Sequence, residues 1–313
     1  MLSLVAAASD MLATVSAAGT GAVTGTAVVQ PLYWENLGLS PVALDLGFFT
    51  LKWYSLAYLA GILLGYRHLS RMIKAPGAPM AQRHADDLFF YATLGIIAGG
   101  RLGYATFYEP SLFTGWSGEG WIKWELLRLW DGGRSFHGGL AGVVLAIAWV
   151  AWRNKLPFLR LCDYIAVCVP FGMLFGRLAN FVNGELWGRV AESRVAWAMV
   201  FPGAGDLPRH PSQLYLAGTE GLALIVVMLW LFWRTDARWR PGVLVGTFAF
   251  GIALARFTME FFREPDAQLL DFAQRTGLSM GQWLTIPLMV VGLFFLIRGL
   301  LRPRLGSGAA LLA

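Results

Sequence analysis

The sequence is poor in charge and nearly devoid of cysteine. Only 14% of its 313 residues are charged, against 57% hydrophobic, and 14 are tryptophan. Soluble globular domains carry about 25% charged residues, so one ordinary aqueous core is excluded and the chain belongs in a bilayer. The two cysteines, Cys162 and Cys168, stand six residues apart in a helical stretch and do not face each other. That spacing argues against a disulfide or a cysteine metal pair and leaves both to packing. Residues 1–47 contain no Lys or Arg, so the basic segment that opens a secretory signal peptide is missing. Residues 1–30 therefore read as a poorly ordered or surface-lying extension. No G-x-S-x-G serine suggests an intramembrane protease, and no internal symmetry suggests the inverted repeat of a transporter. No metal-ligand cluster is visible, and no cofactor is implied. The net charge of +6 forms no clustered basic face, so nucleic acid is not an expected partner.

What the chain does have is long apolar runs. A membrane span takes about 20 predominantly apolar residues, and seven stretches qualify, near 48–66, 88–107, 138–152, 161–182, 214–233, 242–262 and 282–301. The expected fold class is an all-α polytopic membrane protein with seven transmembrane helices. Thirteen Lys and Arg fall in the connections after the first, third, fifth and seventh stretches, and eight on the other side. By the positive-inside rule the amino terminus faces outward and the carboxyl terminus the cytoplasm. The two longest outward connections, near 108–137 and 183–213, hold much of the Gly, Pro, Trp and charge. Gly61/Gly65, Gly95/Gly99, Gly172/Gly176 and Gly242/Gly246 keep the four-residue spacing that lets helix backbones approach closely.

Several apolar segments contain polar residues that hydropathy alone would exclude. An arginine at the centre of a membrane helix costs about 2.5–3.5 kcal/mol on insertion scales, so one that persists usually faces a cavity or a substrate. Residues 176–189, GRLANFVNGELWGR, put Arg177, Asn180, Asn183, Glu185 and Arg189 at the end of one such run. Arg177 and Asn180 share a helical face. Arg256, Glu260 and Arg263 fall at i, i+4 and i+7, again one face; the Arg256–Glu260 spacing equally suits a helix-packing clamp. Arg101, in GGRLGY, has two readings, anion binding and structural pairing. His137, in RSFHGGL beside two glycines, is a candidate proton acceptor. In the expected topology these polar groups gather toward the outer leaflet. Arginine presents a planar fork suited to phosphate, so a phospholipid headgroup is the natural anion. If the phosphate leaves, the same guanidiniums stabilise its developing charge.

RSFHGGLAGV at 134–143, GRLANFVNGELWGR at 176–189, LPRHPSQLY at 207–215 and ARFTMEFFREPDAQ at 255–268 resemble the signature blocks of bacterial prolipoprotein diacylglyceryl transferases. WYSLAYLAG at 53–61, GGRLGYATFY at 99–108, WDGGRSFHGG at 130–139 and SMGQWLTIP at 279–287 extend the resemblance over roughly 41–302. It implies an inner-membrane enzyme of seven helices, open to the periplasm, that moves the diacylglyceryl group of phosphatidylglycerol onto the lipobox cysteine of a prolipoprotein. A thioether forms and glycerol 1-phosphate leaves. Block by block it implies His137, Arg177 and Arg256 as catalytic residues and carries substrate positions onto Tyr54, Asn180, Glu185, Gly188, Glu260 and Arg263; Arg101, Asn183 and Arg189 join them from the residues' own pattern. The implied organisation is an extension at 1–40, a seven-helix catalytic domain at 41–302 with periplasmic insertions near 108–137 and 183–213, and a cytoplasmic tail at 303–313. Ala179, Ser55 and Ile252 depart from the family pattern, and Ile252 removes a hydroxyl that some members carry. With both cysteines expected near the cytoplasmic side, the incoming thiol is the substrate's, and a base beside it raises its thiolate fraction.

Overall fold

The computed structural model describes residues 31–47, 50–116, 121–129, 132–133, 135–192, 194–264 and 275–306. Among these, seven long helices follow the seven apolar stretches: α1 (Trp53–Ile73), α2 (Gln82–Phe107), α3 (Phe136–Arg153), α4 (Phe158–Val182), α5 (Ser212–Arg234), α6 (Val243–Met259) and α7 (Met280–Leu301). By length and composition α2, α4, α5, α7 and α6 with the 3₁₀ turn that follows it are five helices able to cross a membrane, and α3 is a shorter apolar helix. α1 is one residue shorter than α7 and is diluted by Tyr54, Tyr58, Tyr66, Arg67 and His68. It also starts later than the apolar run predicts, because Thr50–Lys52 is an extended strand, β3, paired antiparallel with β2 (Val42–Asp45).

The contacts divide the chain into two compact units. The first comprises Met1–Leu63, Val169–Val227 and Phe248–Leu293, the second Leu64–Cys168, Met228–Thr247 and Phe294–Ala313.

In the first unit, β1 (Leu32–Tyr33) lies parallel to β4 (Met199–Val200). Trp34 is buried with Phe181, Met199 and Phe201, and its indole Nε1 donates to the Phe181 carbonyl at 2.8 Å. Residues 32–37, within the extension expected at 1–40, pack against the end of α4. Residues 1–30 lie outside the description, as do 307–313 of the tail. The middle of α5 widens into a π-helical stretch at Ala217–Ala223. Such turns are rare and concentrate at functional sites.

In the second unit, α2 and α3 meet backbone to backbone. A Cβ on Gly95 would stand 2.5 Å from the Gly142 carbonyl oxygen, and one on Gly99 2.4 Å from that of Gly138. The Gly95/Gly99 spacing is thus a close-packing face, as its sequence indicates. Gly242/Gly246 is different: Gly242 sits at φ 97° in the turn into α6, where a side chain would be strained. Asp163 accepts the amides of Gly242 at 2.8 Å and Val245 at 2.9 Å, filling donors that the first turn of α6 leaves open. Arg160 Nη2 donates to the Gly77 carbonyl at 2.7 Å, and Arg240 Nη1 to that of Leu300 at 2.7 Å. Basic residues that sequence assigns to topology thus also tie connections together.

Candidate active site

Arg177, from the last turns of α4, and Arg256, from the last turn of α6, converge on one carboxylate. Glu220 Oε2 accepts from Arg177 Nε at 3.1 Å and Nη2 at 3.0 Å, while Oε1 accepts from Arg256 Nε at 3.0 Å. The Glu220 side chain is fully buried, and those of Arg177 and Arg256 are 17% and 41% exposed. Glu220 stands within the π-helical stretch of α5. Each guanidinium spends its Nε edge on the carboxylate, which fixes its plane. The sequence pairing of Arg256 with Glu260 is not formed. α6 ends at Met259, and Glu260–Phe262 is a 3₁₀ turn, so the i, i+4 spacing no longer places the two on one face. Glu260 faces Arg263 Nη1 at 3.7 Å and accepts from Ser279 Oγ at 3.1 Å.

One turn beyond Arg177 a second network forms around Glu185. Its Oε1 accepts from Asn180 Nδ2 at 2.8 Å and Asn183 Nδ2 at 3.3 Å. Its backbone carbonyl accepts from Gln213 Nε2 at 2.7 Å. This leaves Asn183 Oδ1 and Gln213 Oε1 as buried acceptors with no hydrogen-bond partner. Buried acceptors are nearly always filled, so these two suit the hydroxyl or amide donors of a ligand. Tyr54 lies within electrostatic reach of Glu185 and Arg177, and its hydroxyl is 3.2 Å from that of Tyr58.

The segment after Glu185 is held as a small backbone ladder. Gly188 N donates to the His210 carbonyl at 2.9 Å, Arg189 N to that of Phe262 at 2.9 Å, and His210 N to that of Arg189 at 3.0 Å. A Cβ on Gly188 would stand 2.4 Å from the Phe262 oxygen and 2.8 Å from that of His210, so only glycine fits. Arg209 Nη1 donates to Glu264 at 2.8 Å and to the Gly188 carbonyl at 3.2 Å. His210 Nδ1 lies 3.1 Å from the Tyr215 hydroxyl, and burial pushes the His210 pKa below its ordinary 6.5.

Arg101 and His137 belong to the second unit. Arg101 is buried, and its guanidinium donates to four backbone carbonyls in the connection between α2 and α3, those of Glu125, Leu126, Gly132 and Gly133. Of its two sequence readings this geometry favours the structural one, holding the connection that leads into α3. His137 is exposed in the first turn of α3. That turn is capped by Ser135, whose Oγ accepts from Gly138 N at 3.3 Å. The neighbouring Arg134 lies outside the described residues.

The sequence model of the prolipoprotein diacylglyceryl transferases matches residues 41–298. The chain belongs to this family. It is 61% identical over 282 residues to the phosphatidylglycerol–prolipoprotein diacylglyceryl transferase of Erythrobacter litoralis, covering 90% of this chain and 96% of that one. It is 49% identical over 275 residues to the protein of that name from Zymomonas mobilis (85% and 93% covered) and 47% identical over 275 residues to that from Beijerinckia indica (86% and 97%). Within this prolipoprotein diacylglyceryl transferase chain, sequence reading missed Glu220 and Gln213. Glu220 is a single carboxylate in the run LYLAGTEGLALIVV, and the rule that singled out Arg177, a charge inside an apolar stretch, would have found it.

Proposed function

We propose that this chain transfers the diacylglyceryl group of phosphatidylglycerol to the lipobox cysteine thiol of a prolipoprotein, the first step of lipoprotein maturation, in the bacterial inner membrane. The observation that carries the reading is the convergence of Arg177 and Arg256, from two helices, with their Nε edges fixed on buried Glu220. Their remaining donors form a preorganised anion site in a low-dielectric setting, where such contacts are strongest. On this reading α1 and α3 join the other five helices as spans, the amino terminus is periplasmic and the carboxyl terminus cytoplasmic.

The thiolate sulfur attacks the glycerol CH₂ that bears the phosphate ester. The S–C bond forms, the C–O bond breaks with its electron pair left on oxygen, and glycerol 1-phosphate departs. Arg177 and Arg256 hold that phosphate, and His137 takes the thiol proton. A thiol with a pKa near 8.5 is only a few per cent thiolate at neutral pH, so the base raises the reactive fraction. Asn180, Asn183 and Glu185 form the polar wall beside the clamp. The open acceptors on Asn183 and Gln213 match the headgroup's free hydroxyls, which distinguish phosphatidylglycerol from lipids without a polyol. Tyr54, Gly188, Arg189, Glu260 and Arg263 shape the surrounding walls, and Arg101 secures the connection before α3.

The test is direct. Purified protein is incubated with phosphatidylglycerol and a lipobox peptide, and the peptide is weighed by mass spectrometry. A gain of one diacylglyceryl group at the cysteine is expected; an unchanged peptide mass under conditions where the protein is folded overturns the reading.

A further inference from the structure

We infer that Glu220 sets the charge of the phosphate clamp, so that the site is matched to a singly charged phosphodiester and lets the doubly charged phosphomonoester product leave. The inference rests on the assignment of Arg177 and Arg256 to the phosphate. Three observations carry it. Glu220 is fully buried, it gives one oxygen to each guanidinium, and it is placed there by a π-helical turn inside a largely apolar helix. Arginine does not deprotonate in proteins, so two guanidiniums and a paired carboxylate make a cluster of net charge +1. Without the carboxylate the same two arginines would present +2.

The reaction changes the charge of the group being held. The lipid's phosphodiester carries one negative charge. When the thiolate displaces it, the sulfur becomes a neutral thioether and the leaving phosphomonoester takes both negative charges, its second pKa being near 6. Attraction to the clamp rises in proportion to ligand charge, whereas the cost of desolvating the ligand rises with the square of that charge. A clamp of +1 suits the monoanion. A clamp of +2 adds twice as much attraction for the dianion as for the monoanion, so product binds more tightly and its release slows. Glu220 is thus a positioning residue that fixes both guanidinium planes and a selectivity residue that keeps product affinity low.

The experiment uses the full chain in detergent, as wild type, Glu220→Gln and Glu220→Asp. Glycerol 1-phosphate and the soluble diester glycerophosphoglycerol are titrated at pH 7.5 by calorimetry, and transfer to a lipobox peptide is followed through the first and later turnovers. For Glu220→Gln the dianion is expected to tighten at least about tenfold and the diester by a smaller factor. Steady-state turnover should fall while a first-turnover burst survives. Glu220→Asp keeps the charge, so its ratio of the two affinities should stay within about twofold of wild type. A Gln variant that weakens both ligands, or leaves their ratio unchanged, overturns the inference, as does an Asp variant whose ratio moves tenfold. If the Gln variant does not fold, Glu220→Ala, which also removes the charge, takes its place in the same titrations with the same expected change in ratio. Wild-type protein that fails to modify the peptide sinks the functional reading, whereas active wild type with an unaltered ratio in Glu220→Gln sinks only the charge assignment.

Discussion

Arg189 donates from Nε to the backbone carbonyl of Arg263 at 2.6 Å, so a guanidinium assigned from sequence to the substrate also fastens the GELWGR segment to the residue that closes the 3₁₀ turn after α6. The backbone bridge between Gly188 and Arg263 lies beside it. Together they hold the segment carrying Glu185 to the 3₁₀ turn carrying Glu260.

Gly188 is where that fastening is most easily broken. Gly188→Ala forces a methyl group against two carbonyl oxygens that belong to backbone, and overpacking of this kind costs about 1–3 kcal/mol. Transfer should be lost while helix content by circular dichroism stays near wild type. Hydrogen exchange at the amides of residues 188 and 189 should speed up. Full activity in Gly188→Ala would show that the ladder can part without consequence.

His137→Asn keeps some hydrogen bonding but cannot take a proton at neutral pH. Turnover should fall by roughly 10²–10⁴. The deficit should shrink as pH rises toward the substrate thiol's own pKa, about 8.5. A deficit that stays constant across pH 6.5 to 9 assigns His137 to orientation.

Arg177→Lys and Arg256→Lys retain the charge and lose the planar fork. Each should lower turnover by roughly 10²–10³, the loss expected when a preorganised donor to developing anionic charge is removed. The defect should lie in turnover more than in lipid affinity, measured with saturating phosphatidylglycerol. Arg177 should be the more sensitive, since it gives two donors to Glu220 and Arg256 gives one. Near-normal rates for either lysine variant remove that arginine from the clamp.

His210 provides a pH handle on stability. Its pKa is lowered by burial, so the folded state binds fewer protons than the unfolded one. The penalty is absent well above 6.5, grows as pH falls through that unfolded value, and levels off below the depressed folded value. Melting temperature in detergent should therefore drop between pH 7.5 and 5, and the drop should be smaller in His210→Gln. An equal drop in both assigns the acid sensitivity to other groups.

Much of the helix pattern was legible because apolar length and lone buried charges are local signals. The runs at 88–107, 161–182 and 282–301 lie within α2, α4 and α7, and Gly95/Gly99 marked a real close approach. The partner of Arg256 was not legible. Spacing in a regular helix pointed to Glu260, but the change to 3₁₀ geometry after Met259 turns Glu260 toward Arg263 and Ser279. The carboxylate that Arg256 meets lies 36 residues earlier, a separation that periodicity cannot bridge. The packing of residues 32–37 was obscured for a similar reason: the strand partner of Leu32–Tyr33 is Met199–Val200, and two-residue strands leave no alternation to read.

The widened turn at Ala217–Ala223 also fixes the rotational phase of α5. An α-helix advances about 100° per residue, so the extra residue in that turn sets the azimuth of Ser212, Gln213 and Glu220 independently of Met228 and Phe232, all of them buried. Removing one residue between 217 and 223 would allow the turn to close into regular helix. One half of α5 would then have to rotate against the other, facing either the polar residues or the buried apolar stripe the wrong way. Alignments of functional relatives should therefore tolerate substitutions in this stretch far more readily than gaps.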